Sequence, residues 1–153
     1  QYWDSSVFCS YLNREPNYKI VGDLLNEALA RKIEIVTSTF TLTEVLKLSG
    51  HQPITENQEE RLCSFFEYDY IKLVNADREV CERARYYVWK HGFKPKDSIH
   101  VATADIASQM RQIDELFSWD KDFTKRSGTT ALKFPFCHPY MDQLVLQLKD
   151  TNP

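Results

Sequence analysis

The sequence predicts a three-layer α/β/α sandwich built on a central parallel sheet of four to five strands. Two observations carry that expectation. Short apolar, β-branched runs such as 33–37 and 70–74 alternate with longer segments whose apolar residues recur at helical spacing. Such alternation implies parallel strands joined by crossover helices, which must cover both faces of the sheet. Right-handed crossovers also gather the strand-to-helix loops at the carboxyl edge of the sheet, where ligands of such folds bind.

The elements follow in order. Residues 2–8 form a short apolar run broken by Asp4, Ser5 and Ser6, read as a buried opening strand with a short helix after it. Asn13, Arg14, Pro16 and Asn17 make a turn, and 20–31 carries Leu24, Leu25, Ala28 and Leu29 at helical spacing. The second strand is 33–37. Thr41 with Glu44, and Thr55 with Gln58, have the spacing of capping boxes and open two helices, the second striped by Leu62, Phe65 and Phe66. Strand three is 70–74. Asp77 caps a helix with Val80, Ala84, Tyr87 and Val88 inward, closed by Gly92. The next helix runs from Asp97 to about Arg111 with Ile99, Ala102, Ile106 and Met110 on one face. A strand at 116–118 follows, then a weak fifth strand at Ala131 and Leu132. A final amphipathic helix carries Met141, Leu144, Val145 and Leu148.

Composition narrows the function classes. The 153 residues suit one domain, 1–153, and 42% hydrophobic with 13% aromatic content excludes disorder. No apolar run approaches the roughly 18 residues of a membrane span, and no leader-type segment is seen, so a cytoplasmic protein without a membrane partner is expected. Cys9, Cys63, Cys81 and Cys137 form no CxxC pair and read as reduced, partly buried thiols rather than a zinc site or disulfide frame. A net charge of −3 gives no overall basic footprint, so a nucleic acid must be met by locally concentrated basic residues.

The acids carry the chemistry. An unpaired carboxylate inside an apolar strand is costly and ordinarily finds a partner or a metal, which singles out Asp4. Glu44, Asp97 and Asp120, with Asp122 two residues on, fall after strands or at helix starts, where the fold gathers them. Each has an ordinary alternative: Glu44 as partner of Thr41 in a capping box, Asp97 as a favoured first-turn acid, Asp120 and Asp122 as solvated turn charges. Together, four carboxylates at one edge repel one another, and a divalent cation relieves that repulsion. All-oxygen ligation selects magnesium or manganese over zinc. Such a site activates water for in-line attack on a phosphodiester. Lys94, Lys96, Lys121, Lys125 and Arg126 fall near the same edge and are candidates for phosphate contacts, a solvated basic rim being the alternative. No HExxH, phosphate-cradling glycine loop or nucleophile elbow is present. His100, one turn after Asp97, reads as a satisfied, partly buried histidine.

Asp4 with Ser5 and Ser6, Glu44 after Thr43, the segment 96–104 (KDSIHVATA) and the segment 118–123 (SWDKDF) together resemble the PIN-domain family, above all the toxin ribonucleases of VapBC-type toxin–antitoxin pairs. The resemblance spans nearly the whole chain. It implies a parallel sheet with the opening strand at its centre and an acidic site for magnesium or manganese. It further implies ribonuclease activity, frequent homodimers, and, in toxins, inhibition by a small antitoxin protein. Carried over, Asp4 and Asp97 match the firmest metal ligands, with Glu44 and Asp120 completing the set. Ser6 and Ser118 match supporting hydroxyls, and Asp122 an auxiliary acid. Trp119 stands where a small polar residue is usual and Ser5 where Thr is common.

The expected function is therefore a divalent-metal-dependent endoribonuclease, the toxin of a toxin–antitoxin pair. The alternatives are a PIN nuclease of RNA processing or decay, and a non-catalytic RNA- or protein-binding domain of the same fold. For Trp119 a core or interface role is expected over base stacking, and the helix surface around residues 62–66 is the candidate dimer interface.

Overall fold

A computed structural model of the chain describes residues 1–45, 54–111, 113–130 and 132–139. Its sheet has five parallel strands in the order β3-β2-β1-β4-β5: β1 (Tyr2–Trp3), β2 (Ile35–Ser38), β3 (Ile71–Val74), β4 (Leu116–Phe117) and β5 (Phe136–Cys137). The opening strand is central. The helices are α1 (Ser5–Leu12), α2 (Tyr18–Leu29), α3 (Thr41–Glu44), α4 (Glu56–Phe66), α5 (Arg78–His91), α6 (Pro95–Met110) and α7 (Lys121–Thr124).

Side chains of successive strand residues point to opposite faces, and this divides the interior into two cores. Tyr2, Val36, Leu116 and Phe136 face α5 and α6, packing with Val80, Ala84, Tyr87, Val101 and Ala104. Trp3, Ile35, Ile71 and Phe117 face the opposite way, against Val7, Phe8, Val21, Leu25, Leu62 and Phe66 of α1, α2 and α4. Helices thus cover both sheet faces, as the alternation predicts. Tyr2, Trp3 and Phe8 are fully buried, and burying a side chain of that size contributes roughly 1.5–3 kcal/mol.

Several predicted boundaries move, each for a local reason. The opening strand stops after two residues, because Asp4 caps α1: its Oδ1 accepts from the Ser6 and Val7 amides at 3.0 and 3.3 Å. Asp4 is therefore not in a strand interior. Thr41 makes no capping box with Glu44; its hydroxyl bonds that of Thr37 at 2.7 Å, and the N-cap position of α3 is Phe40. The other expected caps form: the Thr55 amide donates to Gln58 Oε1 at 2.9 Å, Asp77 Oδ1 accepts from the Val80 amide at 3.1 Å, and Gly92 closes α5 with φ 65°. The left-handed conformation at Gly92 suits a residue without Cβ.

The fifth strand lies at Phe136–Cys137, beside Leu116 and Phe117; of the pair expected to form it, Ala131 lies outside the described residues and Leu132 is not in the strand. Leu132 instead packs against the core formed with α5 and α6. Leu29 and Met110, assigned to apolar faces, are 67% and 85% exposed. The buried face of α6 runs instead through Ser98, His100, Val101, Ala102, Thr103, Ala104 and Ala107, small residues that let the helix sit close to both the sheet and α5. Leu62 and Phe66 turn into the core, leaving Phe65 half-buried and Cys63 and Ser64 on the outer surface of α4. The four cysteines are thiols, but Cys63 and Cys81 are exposed, as they lie on outer helix surfaces. The helix expected through Met141, Leu144, Val145 and Leu148 lies outside the described residues. Among the described residues no helix is long and apolar enough to cross a membrane.

Candidate active site

Three of the singled-out acids sit at helix starts, Asp4 after β1 and Asp120 after β4, while Asp97 follows the turn from α5 into α6. Asp4 ends β1 and caps α1, while its own amide donates to the Phe117 carbonyl at 3.1 Å and so ties it to β4. Asp120 follows β4 and caps α7, its Oδ1 accepting from the Asp122 amide at 2.8 Å. Asp97 sits in the first turn of α6, which Pro95 opens. The ordinary role of capping and the candidate role at a site coincide here, because the same orphan amides that favour a cap also hold a carboxylate in place.

Asp97 feels the other two carboxyls. Burial raises the Asp97 pKa first, and the charges of Asp120 and Asp4 raise it further, against the opposing influence of Lys94 and His100. Asp4, only 5% exposed, is likewise pushed up by burial, opposed by His100 and by hydrogen bonds from Ser118, Ser6 and the Val7 amide. Ser6 Oγ donates to Asp4 Oδ1 at 2.5 Å and accepts the Trp119 amide at 2.9 Å. Ser118, fully buried, accepts the Asp120 amide on its Oγ at 3.0 Å. These two hydroxyls, both expected as supports, clamp the ends of β1 and β4 together.

Glu44 is held differently. Its Oε2 lies 2.8 Å from His100 Nε2 and its Oε1 3.8 Å from Lys96 Nζ. Burial would raise its pKa, but the hydrogen bonds from His100 and Ser5 and the charges of His100 and Lys96 prevail and hold it below the ordinary glutamate range. His100 in turn takes Tyr2 Oη at 3.0 Å on Nδ1. A carboxylate only accepts, so Nε2 carries hydrogen toward Glu44, and Nδ1 shares the second hydrogen bond with the tyrosine hydroxyl. The histidine is satisfied, as expected, but it also joins Glu44 to the acid group, since its charge acts on both Asp4 and Asp97. Tyr2 was not singled out from the sequence. It stands two residues before Asp4, as His100 stands three after Asp97, and those spacings are the signal that marks the pair.

The expected rim divides. Asp122 is exposed and paired with Lys94 at 3.6 Å and Lys125 at 3.7 Å, so it neutralises rim cations more than it adds to the acid group. Lys96 leans on Glu44. Lys121 joins none of the ion pairs found among the described residues. Arg126 turns away: its Nη1 donates to the His91 carbonyl at 2.8 Å and its guanidinium lies 5.4 Å from the Phe93 ring centroid, fastening the end of α5. Trp119 is partly buried against the second core and stacks on His138. Nearby, burial lifts the Cys9 thiol to about 11, with Glu15, Asp4 and Glu44 adding to the shift, so it stays protonated and unreactive.

The donor set fits a hard divalent cation. Asp4, Asp97 and Asp120 supply oxygens only, and the upward pressure on Asp97 is negative charge that a cation relieves. Among the described residues no three His, Cys, Asp or Glu side chains are arranged to hold one ion directly, so an ion at this edge would be held by one or two of these carboxylates and by water. Magnesium keeps several of its waters and is commonly held by one or two carboxylates, so the arrangement suits it.

The chain matches the family model of the PIN domain over residues 2–128. No curated protein matches it. Among solved structures, it is similar to VapC20 of Mycobacterium tuberculosis, described as a toxin cleaving the sarcin–ricin loop, with TM-score 0.61 and 14% identity over 81% of this chain and 92% of that one. A toxin–antitoxin complex from Klebsiella pneumoniae gives TM-score 0.60 and 18% identity, covering 91% of this chain and 97% of that chain. FitAcB from Neisseria gonorrhoeae gives TM-score 0.59 and 19% identity with the same coverage. At such identities the likeness is one of fold.

Proposed function

The chain belongs to the PIN-domain family, and on that footing we propose that it is a magnesium- or manganese-dependent endoribonuclease, the toxin of a toxin–antitoxin pair. The observation that carries the reading is the coupling of Asp97, at the start of α6, to Asp120 and Asp4, which cap the helices after β4 and β1. Structural likeness to a ribonuclease toxin and to two further structures, one of them a toxin–antitoxin complex, supports the substrate class and a small protein inhibitor as partner.

One or two of Asp4, Asp97 and Asp120 would hold the ion directly and the rest of the set, Glu44 included, through water. When bound, a divalent cation polarises a phosphoryl oxygen and lowers the pKa of coordinated water. The chain's own residues do the positioning. Ser6 and the first amides of α1 fix one oxygen of Asp4, and Ser118 fixes the backbone of Asp120. His100 holds Glu44 ionised and in one orientation. Lys94, Lys96, Lys121 and Lys125 supply phosphate contacts without sequence preference; Lys94, Lys96 and Lys125 must exchange an acidic partner for the RNA phosphate.

Incubation of single-stranded RNA with the protein and manganese tests the reading. Cleavage that chelation stops supports it. Binding of RNA without cleavage at any divalent concentration would instead support a non-catalytic RNA-binding domain.

A further inference from the structure

One groove adjoining the acids has no role in the chemistry above. It has a volume of about 380 Å³ and is lined by Ser10, Glu15, Asn17, Trp119, Lys121 and His138. Trp119 lies between Ser118 and Asp120 in the chain, so the groove starts one residue from a candidate ligand.

The aromatic wall is built in advance. The Trp119 and His138 rings stack with centroids 6.0 Å apart and planes at 20°. His138 is pinned on both sides. Its Nδ1 donates to the Ser118 carbonyl at 2.7 Å, and its Nε2 shares a hydrogen bond with the Thr124 hydroxyl at 3.2 Å. A ring held by two hydrogen bonds loses little freedom when another flat group stacks on it.

The polar groups around this wall are uncommitted. Trp119 Nε1 is buried with no hydrogen-bond partner among the described residues, a state that carries a free-energy cost until an acceptor arrives. Asn17 starts α2 without capping it, so its amide is not spent on the helix. Lys121 joins none of the ion pairs among the described residues. Glu15 is an anion on the wall: it repels a phosphate from the groove interior and accepts from an amino group.

We propose that this groove is a nucleobase subsite. Resting on the nuclease reading above, the proposal is that an unstacked base of single-stranded RNA extends the Trp119–His138 stack. Its phosphate lies toward Lys121 and its exocyclic amino group faces Glu15. The groove then prefers adenine and cytosine over uracil, which has no amino group.

The test uses Asp97→Asn protein, so that RNA is bound without being cut, and short single-stranded oligocytidine, oligoadenine and oligouridine. Binding is read by fluorescence anisotropy. Trp119→Leu is expected to weaken oligocytidine and oligoadenine binding about tenfold or more, the size of one lost base–aromatic stack, while Trp119→Phe stays within about threefold of the parent. Glu15→Gln is expected to abolish the preference over oligouridine. Equal binding by parent and Trp119→Leu, or no preference among the three oligonucleotides in the parent, overturns the proposal. A second readout covers the case of a misfolded leucine variant. In a Trp89→Phe background the only indoles left are Trp119 and the fully buried Trp3. Quenching of their emission by oligocytidine supports the subsite, and its absence overturns it. The two readings fail separately. A protein that cuts RNA without indole quenching loses only the subsite, and one that shows quenching but never cuts RNA loses only the nuclease activity.

Discussion

His100 Nε2 stands 2.8 Å from Glu44 Oε2, joining an almost fully buried ring on α6 to a carboxylate at the end of α3. The bond spans the sheet edge beside the Lys96–Glu44 ion pair, which joins the same two helices, and it holds the Glu44 pKa down. A depressed carboxylate pKa stabilises the fold above the unfolded-state value and loses that contribution as pH falls through the folded value. Glu44→Gln should therefore lower the melting temperature at neutral pH. The difference from the parent should shrink as pH falls below the ordinary value of 4.5. Thermal melts at a series of pH values check this.

Tyr2 Oη completes the same chain from β1, with both Tyr2 and His100 buried. Tyr2→Phe keeps the ring and leaves Nδ1 of His100 without its hydroxyl partner. A buried group so orphaned costs about 1–3 kcal/mol, to be read from urea unfolding.

Ser6 serves two partners, donating to Asp4 and accepting from the Trp119 amide. Ser6→Ala should also cost about 1–3 kcal/mol, and it should lower cleavage more than the stability loss explains, because Asp4 loses one of its anchors. Urea unfolding and initial cleavage rates on the same preparation separate the two effects.

Asp97 and Asp4 have raised pKa values, so the sign is opposite to that of Glu44. Their ionisation in the folded state is unfavourable, and their contribution to stability worsens as pH rises through the folded values. In the presence of a chelator, Asp97→Asn should melt a few degrees above the parent at neutral pH. Manganese should reverse the order. An ion at about a hundred times its Kd stabilises the parent by about 2.7 kcal/mol and the variant far less. Calorimetry with and without the ion reads both.

The fold was legible wherever local signals agreed. β3, the Asp77 cap, the Gly92 terminus and the Pro95 start all combine periodicity with a punctuating residue, and each lies within a residue or two of its expected place. The two-residue strands carry no periodicity, which is why β1 was drawn through Asp4 and β5 was placed at Leu132 rather than at Phe136. Thr41 and Glu44 have capping-box spacing, yet tertiary partners, Thr37 and His100, claim both side chains. Of the site, the acids were readable from their positions after strands. The Tyr2–His100–Glu44 chain and the Trp119–His138 stack were not, because each joins residues brought together only by the folded sheet.

The most direct test of the account compares manganese-dependent cleavage of single-stranded RNA by the parent with that by Asp4→Asn and Asp97→Asn, circular dichroism confirming the fold. Asparagine caps a helix about as well as aspartate, so α1 should survive the first substitution. Losing a ligand should cost more than the about 10–100-fold typical of groups that merely support one. Both variants are predicted to lose cleavage beyond that range while staying folded. Cleavage at the parent rate in both folded variants would contradict the assignment of these acids to the site.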